Sequence, residues 1–198
     1  TANVKIELRG LCQKSLLGGL GGLIGWVLLT LFTWAPKDGG TTFLAILSGA
    51  LIGLAIGCCC GAWEGLFRDR NLQRLKRGMI IGAITGLVGG AIGLLTGELV
   101  FQLTGGGLFT RAVGWSVFGA AVGTNEGLAK RMPHKVAYGA FGGLLGGLVG
   151  GSMYESLANV SQWLGLDRDI AIAVGGSVGL VLLGMCIGCL MGLVEEIL

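Results

Sequence analysis

The chain has 198 residues, 53% hydrophobic and 13% charged, with 14 Lys and Arg against 11 Asp and Glu, one His and 41 Gly. A soluble domain carries about a quarter of its residues charged, so the composition excludes an independent soluble domain, and a mean hydropathy of +0.79 belongs to an integral membrane protein. The glycines lie among Leu, Ile, Val and Ala rather than Ser and Pro; that excludes a flexible or fibrous chain and suits membrane helices, whose backbones glycine lets approach closely.

Residues 1–13 read as a cytoplasmic N-terminal segment. It has neither Met nor a signal-peptide pattern, so the expectation is a processed start or the tail of an upstream domain. Six apolar segments long enough to span a bilayer follow: Leu16–Trp34, Phe43–Phe67, Gly78–Leu103, Ala112–Ala129, Val136–Trp163 and Ile170–Val194. The breaks between them carry turn chemistry, as in APKDGG, LTGGG, RMPHK and GLDRD. Alternation of period two is absent, so helices rather than a barrel are expected.

Lys5, Arg9 and Lys14, the loop Arg68–Arg77 and the group Lys130, Arg131 and Lys135 fall on one side. Lys37, Arg111 and Arg168 fall on the other. The positive-inside rule then places both termini in the cytoplasm. The Arg68–Arg77 loop is also the place to expect anionic lipid; nucleic acid is a poor partner for a loop held at a bilayer.

The spans repeat. The third lies over the fifth at an offset of 57 residues, and the first over the third at 68. Gly57, Gly61 and Glu64 lie over Gly119, Gly123 and Glu126, and again over Gly188, Gly192 and Glu195. The predicted fold is an all-α integral membrane domain covering 1–198. Its six transmembrane helices form three tandem two-helix repeats, about 10–70, 71–132 and 133–198. Packing should run through Gly-xxx-Gly stripes containing Gly53, Gly57, Gly61, Gly86, Gly90, Gly119, Gly123, Gly143, Gly147, Gly188 and Gly192. The fifth span carries two stripes, Gly139–Gly143–Gly147–Gly151 and Gly142–Gly146–Gly150. Two stripes imply two close neighbours, which places the odd spans centrally.

The glycine frame holds a carboxylate each time: GAWEGL with Glu64, GTNEGL with Glu126, GLVEEI with Glu195. Two readings stand. Glu64 precedes Arg68, and Glu126 precedes Lys130, by four residues, the favourable spacing for a helical ion pair. Alternatively, the three carboxylates form an acidic cation mouth about a pseudo-threefold axis, as acidic rings do in channels. Glu195 has no following base, so pairing does not cover it. Glu98 and Glu155 fall near the opposite interface and read as solvated.

Cys58, Cys59, Cys60, Cys186 and Cys189 read as small packing residues rather than a metal site. His134 has no second histidine to complete one, and Asn159-Val-Ser161 is a sequon close to the membrane. No metal, cofactor or catalytic residue is expected, and no enzyme.

EGLFR at Glu64–Arg68, EGLAK at Glu126–Lys130 and the helix start RGMIIGAITGLVGG together resemble glycine-zipper multi-span membrane regions of bacterial proteins. Those regions often follow FHA or von Willebrand A signalling domains. The resemblance implies a bacterial inner-membrane module, without catalytic residues to carry over. Two functions remain open. One is permeation of small ions, cations by the acidic frame, through the bundle or between protomers of an oligomer. The alternative is a non-conducting anchor that docks a partner or an upstream domain.

Overall fold

A computed structural model describes residues 8–32, 41–68, 70–104, 108–163 and 168–197; some side chains within these ranges, and all other residues, lie outside the description. Every element is a helix: α1 (Leu8–Phe32), α2 (Thr41–Trp63), α3 (Leu72–Thr104), α4 (Leu108–Lys130), α5 (Pro133–Trp163) and α6 (Arg168–Ile197). A single π-helical turn at Glu64–Arg68 prolongs α2. In hydrocarbon each backbone N–H and C=O must be satisfied within the chain, and a helix achieves this locally. No proline interrupts these runs; Pro133 stands at the first position of α5, where its missing N–H costs nothing.

Five helices contain stretches long and apolar enough to cross a membrane: Arg9–Phe32, Ile46–Phe67, Leu72–Val100, Pro133–Tyr154 and Ala173–Val194. α4 is not among them; it carries Asn125, Glu126 and Lys130 within 23 residues.

Consecutive helices pack side by side, and α1 also packs against α6, so the six close into a ring. Across its middle α2 touches α4, and α4 touches α6. The core is formed by Ile52 and Ile56 of α2, Trp115, Phe118 and Val122 of α4, and Leu180, Leu183, Ile187 and Met191 of α6. The even helices are therefore central, and the expectation that the odd ones sit there is overturned. The odd helices do have two close neighbours each. Glycine on both flanks leaves their bulky residues on the remaining face, and that face points outward: Leu20, Ile24 and Leu31 of α1, Ile80, Ile84 and Ile92 of α3, Phe141, Leu148 and Met153 of α5 are all exposed. Lipid accepts such side chains without penalty. The even helices instead set bulky residues beside their glycines and fill the axis.

Three seams bring backbones together. Between α2 and α3, Gly53 faces Gly86, Gly57 faces Gly82, Gly61 faces Gly78 and Gly49 faces Gly90. Between α4 and α5, Gly119 faces Gly143, Gly123 faces Gly139, and Gly147 meets Trp115. Between α6 and α1, Gly184 faces Gly18 and Gly188 meets Lys14. A Cβ at most of these positions would collide with the opposing carbonyl. At this separation the helices gain dispersion and Cα–H···O contacts that larger side chains would prevent.

The 57-residue offset between the third and fifth spans does not describe these seams. Taking Gly57 and Gly119 as counterparts, their partners Gly82 and Gly143 stand 61 residues apart. On the other flank, Gly93 seats against Phe118 and Gly146 against Ile187, and these glycines stand 53 apart. The offset of 57 misses each flank by one helical turn, in opposite directions.

Candidate functional site

The polar features gather at the end of the bundle that carries the α2–α3 and α4–α5 turns, here the basic end. Both turns pass through a residue in the left-handed region, Arg70 (φ 45°) and Arg131 (φ 56°). At the second turn the Arg131 N–H donates to the Leu128 carbonyl (3.2 Å) and the Met132 N–H to that of Gly127 (3.0 Å). This is a Schellman closure with arginine where glycine usually stands. At the first turn the Asn71 N–H donates to the Gly65 carbonyl (3.1 Å), one residue further back. The π-helical turn absorbs that extra residue. Asn71 then caps α3, its Oδ1 accepting the Gln73 N–H at 2.9 Å.

These turns account for one glycine of the repeated frame. A Cβ on Gly65 would strike the backbone of Leu75, and one on Gly127 the backbone of Val136. In GAWEGL and GTNEGL the glycine after the glutamate therefore lets the next helix start directly against the last. Glu196 stands at that position in α6, where the described residues make no such turn.

The residue before each glutamate is the one that the structure turns inward. Asn125 is 2% exposed and Val194 is buried; Trp63 has its Nε1 buried with no hydrogen-bond partner among the described residues. The Asn125 Nδ2 donates to the Gly57 carbonyl of α2 at 3.3 Å, and a Cβ on Gly82 of α3 would lie 2.9 Å from the same nitrogen. One amide thus ties α4 to the α2–α3 seam. Lys14 of α1 is 8% exposed, and its Nζ lies 4.3 Å from the Trp63 ring centroid, within cation–π range. By sequence alone Lys14 is an ordinary topology charge and Asn125 carries no assigned role. A lone amide in an apolar helix was the available signal for the second; nothing in the spacing of Lys14 marked the first.

The side chains of Glu64, Glu126 and Glu195 lie outside the described residues, as do those of Arg68, Lys130 and Glu155. Glu98 is partly exposed and accepts a hydrogen bond from Gln102 Nε2 (3.1 Å). His134 is exposed, with its ring 6.4 Å from that of Tyr138. Gly192 meets only the ends of Lys14 and Leu11. Cys58, Cys59, Cys60, Cys186 and Cys189 are half-buried and Cys12 is exposed, and none of the six is in a disulfide among the described residues.

Facing outward between α3 and α4 is an open groove of about 430 Å³, lined by Ile84, Thr85 and Val88 on one wall and Val117, Ala121 and Thr124 on the other. Both hydroxyls are engaged within their own helices: Thr85 Oγ1 donates to the Ile81 carbonyl (2.9 Å) and Thr124 Oγ1 to that of Ala121 (2.7 Å). The groove is chemically apolar.

No family model matches the chain, and neither a curated protein nor a solved structure does. A functional reading therefore rests on the bundle itself.

Proposed function

We propose that the chain is a non-conducting structural membrane module: a closed six-span bundle that holds a partner, or an upstream signalling domain, at a bacterial inner membrane with both termini cytoplasmic. The observation that carries this reading is the filled axis. Ile56, Phe118, Val122, Leu183 and Ile187 are each no more than 1% exposed, and they come from all three central helices. An ion crossing that layer would shed its water against five hydrocarbon side chains, none of which can replace it.

α4 counts as the sixth span in this reading. Its 23 residues extend about 34 Å at 1.5 Å per residue, and it packs lengthwise between α3 and α5. Support for three tandem repeats comes from the two matching turns at Arg70 and Arg131, which fall at the boundaries between them, and from three glycine seams of one kind. Each seam joins the second helix of one repeat to the first helix of another. The proposed partners are anionic lipid at Arg68–Arg77 and, for docking, a second copy or another membrane protein.

Ion flux tests the reading. Purified protein in liposomes should pass neither K⁺ nor Na⁺ above protein-free controls. Cation flux that falls in Glu64→Gln, Glu126→Gln or Glu195→Gln would sink the scaffold and establish permeation through an acidic mouth.

A further inference from the structure

We propose that the groove between α3 and α4 binds one anionic phospholipid. An acyl chain would lie along Val88 and Val117, and the phosphate would sit against Arg77, with Arg74 and Arg131 beside it. The inference rests on the membrane-embedded reading above and adds to it a defined site with a defined ligand class.

The groove follows from how glycines are shared among helices. Toward the far end, α3 meets α4 through Gly89 against Ala121 and Gly93 against Phe118. Toward the basic end the glycines of α3 turn to α2, as Gly78, Gly82 and Gly86 do, while Gly123 and Gly127 of α4 turn to α5. Each helix is drawn toward its other neighbour, and the groove lies over the junction that remains, its lining running from Thr85 and Thr124 past the Gly89–Ala121 contact to Ile92 and Val117. Asn125 reaches from α4 past Gly82 to the Gly57 carbonyl of α2 and takes no part in the groove's lining.

The occupant is set by chemistry and size. With both threonine hydroxyls engaged internally, the walls offer no unmet polar group, so a hydrocarbon ligand fits and a polar one does not. A helix about 10 Å across would fill 430 Å³ within about one turn, so the groove suits a narrow chain rather than a partner helix.

Charge sets the headgroup. Arg77 precedes Ile84 by seven residues and Val88 by eleven, near two and three full turns, so all three share one face of α3. That places Arg77 about 10 Å from the groove along the helix, where a glycerophosphate would follow the chain. Arg74 lies one turn beyond Arg77, and Arg131 stands in the turn just past the end of α4; all three are exposed. A basic mouth on an apolar slot selects an anionic amphiphile.

Native mass spectrometry of the detergent-purified chain tests this, with dioleoylphosphatidylglycerol, dioleoylphosphatidylcholine and glycerol 3-phosphate as probes. The glycerol lipid should be retained one per chain, about fivefold or more over the choline lipid, the worth of one basic residue at an anionic surface. Glycerol 3-phosphate alone should not be retained. Arg77→Gln should remove the preference between lipids, and Val88→Trp, which fills the exposed slot, should weaken both. Equal retention of the two lipids by the wild-type chain would overturn the site, as would indifference to both substitutions. Retention of glycerol 3-phosphate in place of lipid, or a dimer without lipid that Val88→Trp disrupts, would assign the surface to free phosphate or to a second copy and also overturn it. Carbonate extraction of the membranes from which the wild-type chain and its variants are purified separates the two readings. Chains that stay in the membrane whatever lipid they bind leave the scaffold standing, whereas release of the wild-type chain would end both.

Discussion

Asn125 occupies the position that Trp63 takes in the first glycine frame and Val194 in the last. An amide buried to 2% exposure inside an apolar bundle is costly unless bonded, and here its donor reaches the Gly57 carbonyl on another helix. Asn125→Ala should therefore lower stability by about 0.6–2 kcal/mol, the range for one interhelical hydrogen bond in a membrane protein, as read by unfolding in mixed micelles. Wild-type stability in that variant would show that the amide does not tie α4 to the α2–α3 seam. Lys14 teaches a related lesson. Its charge was legible, but its burial over Trp63 depends on α1 lying between α2 and α6, which no local pattern encodes.

At the scale of the element, glycines that look alike in the sequence do different work. Gly57 and Gly192 both belong to four-residue stripes. A Cβ on Gly57 would run into the Gly82 backbone, whereas one on Gly192 would meet Lys14 Cδ at 3.2 Å and Leu11 Cδ1 at 3.6 Å, both ends of flexible side chains. Gly57→Ala should lose about 1–3 kcal/mol through overpacking. Gly192→Ala should be neutral or gain up to about 1 kcal/mol from helix propensity. Equal melting temperatures for the two variants in detergent would refute the seam assignment. The same degeneracy explains the register. A stripe of period four superposes on itself after a shift of one turn, so the third and fifth spans could be overlaid at 57 residues while the packed flanks follow 61 and 53.

For the whole molecule, the closing contact joins the first helix to the last. Ser15 Oγ donates to the Met185 carbonyl at 3.2 Å across 170 residues, and Gly184 faces Gly18. In a cysteine-free background, Leu11→Cys with Gly192→Cys should cross-link within one chain under mild oxidation, since a Cβ at 192 lies 3.7 Å from Leu11 Cγ. Failure to cross-link, or linkage only between chains, would mean that the ring is open. Closure also gives the scaffold proposal its rigidity, because no helix is left with only one neighbour.

The sequence by itself determined that the chain is helical and apolar enough for a membrane, because composition and run length act locally and backbone satisfaction in lipid leaves the helix as the solution. It also marked the α4–α5 turn, through RMPHK with its Pro133, whereas the parts that Asn71, Gly65 and Gly127 play in the turns came from the structure. Only the tertiary structure decided which helices are central. Glycine stripes state that a helix has close neighbours but not on which side its bulky face lies, so Ile56, Phe118 and Ile187 could fill the axis while equally apolar Ile84 and Leu148 face outward. In lipid, both placements satisfy an apolar side chain, and the choice falls to packing between helices far apart in sequence.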